Sequence, residues 1–168
     1  MCIRDRSIGM DVSDLKSVQL TRDKIGEVDA VIHCASSGSR GQDRNQRYQK
    51  VYVDGCCNLS ESFPQSMIVF VSSSSVYGQN DGSIVDENSK TEPASGTGNL
   101  LLEAEEVALN SNGSVARLSG IYGPNRSYLL KRYLEGDARI DGFSPDADGR
   151  WINHCLLYTS PSPRDRVQ

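Results

Sequence analysis

Four consecutive serines, Ser72 to Ser75, follow the apolar run Met67–Val71 and lead at once into Val76, Tyr77 and Gly78. Each hydroxyl carries one donor and two acceptor sites, so a row of them at the end of a strand can orient a ligand and donate to a reacting oxygen. A solvated, serine-rich turn is the competing structural reading, and the pattern alone leaves both open. Two further segments end in the same kind of small, hydroxyl-bearing or glycine-containing residues: "HCASS" from His33 and "SGIYGP" from Ser119. His33 lies inside a strand run and reads as a packed core histidine. Asp86 and Glu87 sit side by side in a polar loop, where carboxylates are normally solvated. No nucleophilic triad, Walker loop or metal-ligand spacing is visible, and no metal is expected.

The elements that would position these residues alternate along the chain. "DAVIHCAS" (29–36) reads as a buried parallel strand. "RYQKVYVDGCCNLSESF" (47–63) sets Tyr48, Val51, Tyr52, Gly55 and Leu59 at helical intervals. "MIVFV" is a second strand, "NLLLEAEEVALN" (99–110) is rich in strong helix formers, and Gly113 is the expected cap after it. "SVARLSGIYGP" returns to strand character, and Pro124 prevents its continuation. A strand, helix, strand, helix, strand series predicts an α/β fold of the doubly wound Rossmann type, with parallel strands and helices on the sheet faces. Ligands in such sheets sit beyond the carboxyl ends of the strands, where all three small-residue segments would converge.

Composition sets outer limits. The 168 residues carry a formal charge of −4, with 18 basic and 22 acidic side chains. Without a basic cluster, that balance argues against a nucleic-acid surface. No apolar run approaches the length a membrane span needs. Of the five cysteines, Cys34, Cys56 and Cys57 have neither metal-ligand spacing nor the density of a disulfide framework, which points to a reducing cytosol. The two ends differ from the rest. "MCIRD" and "CLLYTS" can be encoded by one short DNA element read in opposite orientations. Residues 1–6 and 155–168 therefore read as adapter-like sequence extraneous to the fold, leaving 7–154 as the domain.

"DVSD" from Asp11, "DAVIHCAS", "YQKVYVDGCCNL", "VFVSSSSVYG" and "RLSGIYGP", in that order, resemble the extended short-chain dehydrogenase/reductase family, the NAD-dependent epimerase/dehydratase group. The resemblance implies NAD or NADP as cofactor. It implies a small-molecule substrate with a hydroxyl/ketone pair, nucleotide sugars among the possibilities, and leaves the oligomeric state open. It would place Asp11 and Val12 at the adenine, and Cys34, Ala35, Ser36, Val71 and Ser72 along the cofactor. Tyr122, Gly123 and Pro124 would lie beside the nicotinamide. Ser73 matches the catalytic serine or threonine that hydrogen-bonds the substrate oxygen. The same resemblance implies that the glycine-rich βαβ unit of the family lies outside this sequence.

One motif departs from the family. Aligned on Gly98 and Glu105, the tyrosine position is Thr97 and the lysine position is Leu101, while the asparagine of the preceding helix is Tyr52. Threonine lacks the acidity of a phenol poised for proton transfer, and leucine cannot hold a ribose by hydrogen bonds. These replacements resemble the atypical YeeZ-like subgroup, which lacks both residues. Tyr77 is a second phenol near the site, either a relocated acid or a packed aromatic. Two function classes follow: an NAD(P)-dependent oxidoreductase or epimerase, and a nucleotide-binding sensor or interaction protein without redox turnover.

Overall fold

The computed structural model describes residues 7–38, 43–79, 81, 83–122, 131, 132, 134–136 and 154–156. The chain divides into two units, Met1–Gly78 with Lys90–Arg117, and Gln79–Ser89 with Leu118–Gln168.

The first unit carries the core. It opens with helix α1 (Leu15–Ile25), which Asp14 caps by accepting from the Lys16 N–H. This helix gave little sequence signal, because only Val18 and Thr21 of its eleven residues are buried. Strand β1 (Ala30–His33) follows, shorter than the run that predicted it. The expected second helix is three segments: α2 (Arg44–Tyr48), a π-helical stretch (Gln49–Asp54) and α3 (Gly55–Ser62). Strand β2 (Met67–Ser73) takes in the first two serines, and a 3₁₀ turn (Ser74–Val76) takes the other two. Helix α4 (Gly96–Asn110) and strand β3 (Ser114–Leu118) complete the unit.

The three strands form one sheet in the order β1-β2-β3. β1 and β2 are parallel, with Ala30 opposite Met67 and His33 opposite Phe70. The α/β parallel arrangement expected from the alternating elements is thus present. The core lies where α1, α3 and α4 meet the sheet: Val18, Leu59, Ile68, Phe70, Val76 and Ala104 are buried in one cluster. Along β2 buried positions alternate, with Ile68, Phe70 and Ser72 turned inward.

The turn from α4 into β3 corrects one expectation. The residue with left-handed backbone is Asn112 (φ 54°), not Gly113. Gly113 is required for a different reason: a Cβ there would stand 2.2 Å from the carbonyl oxygen of Ile68 and 2.5 Å from that of Ala108. The missing side chain lets the helix end pass directly over β2.

In the second unit, strand character after β3 is interrupted at Ser119 and resumes as β4 (Gly120–Tyr122). This strand pairs in parallel with β5 (His154–Leu156) in a separate two-stranded sheet. Cys155 and Leu156, the first residues of the segment read as extraneous, take part in that pairing. Residues 1–6 and 157–168 lie outside the described residues, as do Gly123 and Pro124.

Candidate functional site

The site is built at the carboxyl end of β2. Ser73 ends the strand in extended geometry (φ −134°, ψ 146°), and its Oγ accepts from the Ser75 N–H at 3.2 Å, capping the 3₁₀ turn. That bond uses one acceptor site of the hydroxyl. Its proton reaches no acceptor among the described residues and is available to a ligand. Val71 is half-buried and Ser72 buried just before it. Because His33 is in register with Phe70, Cys34 leaves β1 at the level where Val71 continues β2. Cys34, Ala35 and Ser36 are exposed there. The structure therefore brings the first two small-residue segments to one edge of the sheet, as parallel pairing requires.

Helix α4 meets the same edge with its first turn. Ser95 caps it, its Oγ accepting from the Gly98 N–H at 3.2 Å and lying 3.1 Å from Thr97 Oγ1. Gly98 lets the helix approach the serine turn: a Cβ would be 2.4 Å from Pro93 Cβ and 3.2 Å from the Ser75 carbonyl oxygen. Thr97 is buried, and Leu101, one turn on, belongs to the hydrophobic core at 4% exposure. The position that the resemblance aligns with a lysine is thus packed with hydrocarbon.

Behind the serines is a polar network that sequence reasoning missed. Glu105 is 2% exposed and carries the network on one carboxylate. Its Oε1 accepts from Ser72 Oγ at 2.6 Å, and Arg117 grips both oxygens, Nε at 3.1 Å from each and Nη2 at 2.7 Å from Oε2. Arg117 Nη1 donates to Tyr77 Oη at 2.9 Å, and the guanidinium lies 5.1 Å from the centre of the Tyr77 ring. The Glu105 carboxylate holds Arg117 even more firmly protonated than an arginine ordinarily is, and the Tyr77 hydroxyl adds to this. Tyr77, weighed above as a spare phenol, is therefore bound into a partly buried ion-pair network. A signal was available: Glu105 and Arg117 interrupt an apolar helix and an apolar strand at positions whose periodicity calls for burial.

The remaining predicted residues occupy other places. Asp11 is exposed, and its Oδ1 accepts from the Ser13 N–H (2.9 Å) and Ser13 Oγ (2.7 Å), which keeps its carboxyl below the usual range. Val12 is buried, and its carbonyl accepts from Asn58 Nδ2 at 2.9 Å. Tyr122 ends β4 in the second unit. His33 is a packed histidine, as expected: it is 3% exposed, and Nε2 lies 2.9 Å from the Val51 carbonyl oxygen within the π-helical stretch. Burial pushes its pKa down. Tyr52 stands beside it, at 6.4 Å between ring centres, and its hydroxyl accepts weakly from the Ser37 N–H at 3.4 Å. A separate cleft of about 470 Å³ lies between α2, the π-helical stretch and the start of α4, lined by Asn45, Gln49, Lys50, Asp54 and Leu100 among others. It contains none of the strand-end groups. Among the described residues no group of histidines, cysteines or carboxylates could hold a metal ion, and no helix is long and apolar enough to cross a membrane.

The family described as 3-beta hydroxysteroid dehydrogenase/isomerase matches residues 3–137. The chain belongs to the 3-beta hydroxysteroid dehydrogenase/isomerase family. Membership accounts for the order of motifs along β1, β2 and β3 and agrees with the dehydrogenase resemblance at family level. Solved structures repeat the fold of this family member. A protein of Methylobacillus flagellatus assigned to the NAD-dependent epimerase/dehydratases is 21% identical, with a TM-score of 0.71, over 93% of this chain and 52% of that one. The UDP-Glc/GlcNAc 4-epimerase of Campylobacter jejuni is 19% identical, with a TM-score of 0.62, over 78% of this chain and 47% of that one. The UDP-glucuronic acid 4-epimerase of Bacillus cereus, solved with NAD, is 24% identical, with a TM-score of 0.57, over 73% and 44%. The chain spans about half the length of these structures. No curated protein matches the sequence.

Proposed function

We propose that the intact protein is an NAD(P)-dependent oxidoreductase or epimerase acting on a hydroxyl/ketone pair, with a nucleotide sugar as substrate. The observation that carries this reading is Ser73, fixed at the carboxyl end of β2 with its hydroxyl proton unspent, beside an exposed strand-end loop of small residues. The chemistry of that edge fits a dinucleotide. Cys34, Ala35 and Ser36 present no bulky side chain to a flat ligand lying against backbone, and family membership supports the same cofactor class. A bound nicotinamide would give or take the hydride. Ser73 would donate its proton as a hydrogen bond to the substrate oxygen and hold it in place while charge develops there. Asp11 and Val12 at the adenine complete the cofactor contacts proposed for the first unit, and Tyr122, Gly123 and Pro124 keep the nicotinamide role that the resemblance alone implies. The domain proper is taken as 7–154, with Cys155 and Leu156 completing β5, working in the cytosol, with the glycine-rich βαβ unit supplied outside this sequence.

A second reading rests on one observation. Leu101 is packed in the core and Thr97 is buried against Ser95, so α4 presents neither a phenol nor an amine at the positions where the resemblance expects them. That supports a YeeZ-like protein that binds NAD or NADP without redox turnover. The two readings part in one experiment on the intact protein. NAD+ and NADP+ binding is measured by calorimetry, and turnover of UDP-glucose and dTDP-glucose is followed by absorbance for net cofactor reduction and by chromatography of the sugar products, since an epimerase returns the hydride and accumulates no reduced cofactor. Turnover that falls about 10²-fold in Ser73→Ala supports the enzyme. Binding without turnover supports the sensor. Failure to bind either cofactor overturns both.

A further inference from the structure

The polar network behind Ser73 has a specific shape. The turn from Ser73 to Tyr77 is anchored on both sides, and both anchors lead to the same ion pair. Upstream, Ser72 Oγ donates to Glu105 Oε1 at 2.6 Å. Downstream, Tyr77 Oη accepts from Arg117 Nη1 at 2.9 Å. Arg117 and Glu105 are joined by three contacts of 2.7–3.1 Å, the geometry in which a guanidinium fork fixes a carboxylate in angle as well as distance. The pair comes from α4 and β3. Ser73 sits between the anchors with its Oγ in the turn's own hydrogen bond, so its direction depends on where Ser72 and Tyr77 are held. An ordinary serine-rich turn at a strand end would be free to change rotamers and fray.

We propose that the Glu105–Arg117 pair is a positioning clamp that fixes the Ser73 hydroxyl for its ligand by holding the residues on both sides of it, and that Tyr77 acts as the clamp's downstream anchor rather than as an acid. The proposal rests on the reading that Ser73 meets the substrate oxygen, but the clamp itself is testable without a substrate. The pair transmits position only. It moves no proton to the ligand, and Arg117 stays a cation throughout.

Amide hydrogen exchange in the intact protein reads the clamp directly. The Ser75 N–H (to Ser73 Oγ) and the Tyr77 N–H (to the Ser74 carbonyl, 3.1 Å) are the protected amides of the turn. In Tyr77→Phe and in Ser72→Ala, each of which removes one anchor and little volume, both amides exchange about tenfold faster, while those of Ile68 and Phe70 in the same strand keep their rates. Glu105→Gln moves both ends together, and these milder variants carry the test if it does not fold. Unchanged exchange at Ser75 and Tyr77, or a uniform increase along β2 as from general destabilisation, overturns the clamp. A second arm measures UDP-glucose affinity in the presence of NAD+. A parallel weakening in Ser73→Ala and Tyr77→Phe ties the clamp to the ligand. If the exchange effect is local but UDP-glucose does not bind to the parent, the clamp stands and the substrate reading falls.

Discussion

At the scale of single residues, Leu101 is a core side chain first. It occupies the helix position where the resemblance calls for a lysine, and it lies in the core at 4% exposure. Leu101→Ala is expected to cost about 2–5 kcal/mol, as other buried leucines do. Leu101→Lys is expected to cost at least as much, because an ammonium there would lack a partner. Urea unfolding of both variants checks the order. His33 gives a pH dependence. Its folded-state pKa lies below the ordinary 6.5 because burial disfavours the charged ring. Between the lowered value and 6.5 the unfolded chain binds more protons than the folded one, so stability falls as pH drops below 6.5 and is flat above it. Urea midpoints from pH 8 to pH 5 should show that slope, and His33→Gln, whose amide can still donate to the Val51 carbonyl, should remove it. The strand-end serines and the packed histidine were legible in the sequence because residue type and position in a run were enough. Tyr77's anchoring was not, since it depends on a partner 40 residues away.

At the scale of elements, the alternation of strands and helices was readable because hydrophobic period and length agree for β2 and α4. The departures have physical causes. α1 was missed because it buries a narrow stripe and is polar elsewhere. The helix of residues 44–62 contains a π-helical stretch, Gln49–Asp54, which periodicity cannot distinguish from α over so few residues. Within it the Val51 carbonyl serves His33 from the neighbouring strand. The close passage of α4's end over β2 was also invisible, though the glycine that permits it had been noticed. Gly113→Ala would drive a methyl group against two backbone oxygens and is expected to destabilise the protein by about 3 kcal/mol through backbone displacement, lowering the thermal midpoint. Asn112→Gly should be close to neutral, because its left-handed backbone suits glycine as well. The contrast between these neighbours separates a steric demand from a conformational one.

At the scale of the whole molecule, β1 stands at an edge of the three-stranded sheet, with Ile32 65% exposed and Met67, opposite the strand's start, 43% exposed. An edge strand with an apolar face invites pairing with another chain. The 168-residue chain on its own is expected to self-associate in a concentration-dependent way by light scattering, and Ile32→Lys should reduce this without unfolding the core, since Ile32 lies outside it. The family's fold was legible at this scale because the order of motifs along the chain follows the order of its strands and helices.

The cysteines give these ideas a chemical handle. Cys56 is fully buried and its thiol is pushed up to about 12 by burial, with Cys57 a lesser cause. Cys57 is also raised, by burial and then by Asp54, Glu103 and Glu61. The thiolate is the nucleophile in alkylation, so at neutral pH buried Cys56 should be slow and exposed Cys57 slowed only by its raised pKa, while Cys34 lies exposed on the loop after β1 and is resolved from both by its peptide. Peptide mapping after brief iodoacetamide treatment can follow Cys34 alone, and a dinucleotide lying over that loop would shield it. The stretch of chain proposed to receive the cofactor thus carries its own reporter of occupancy, readable with no knowledge of the substrate.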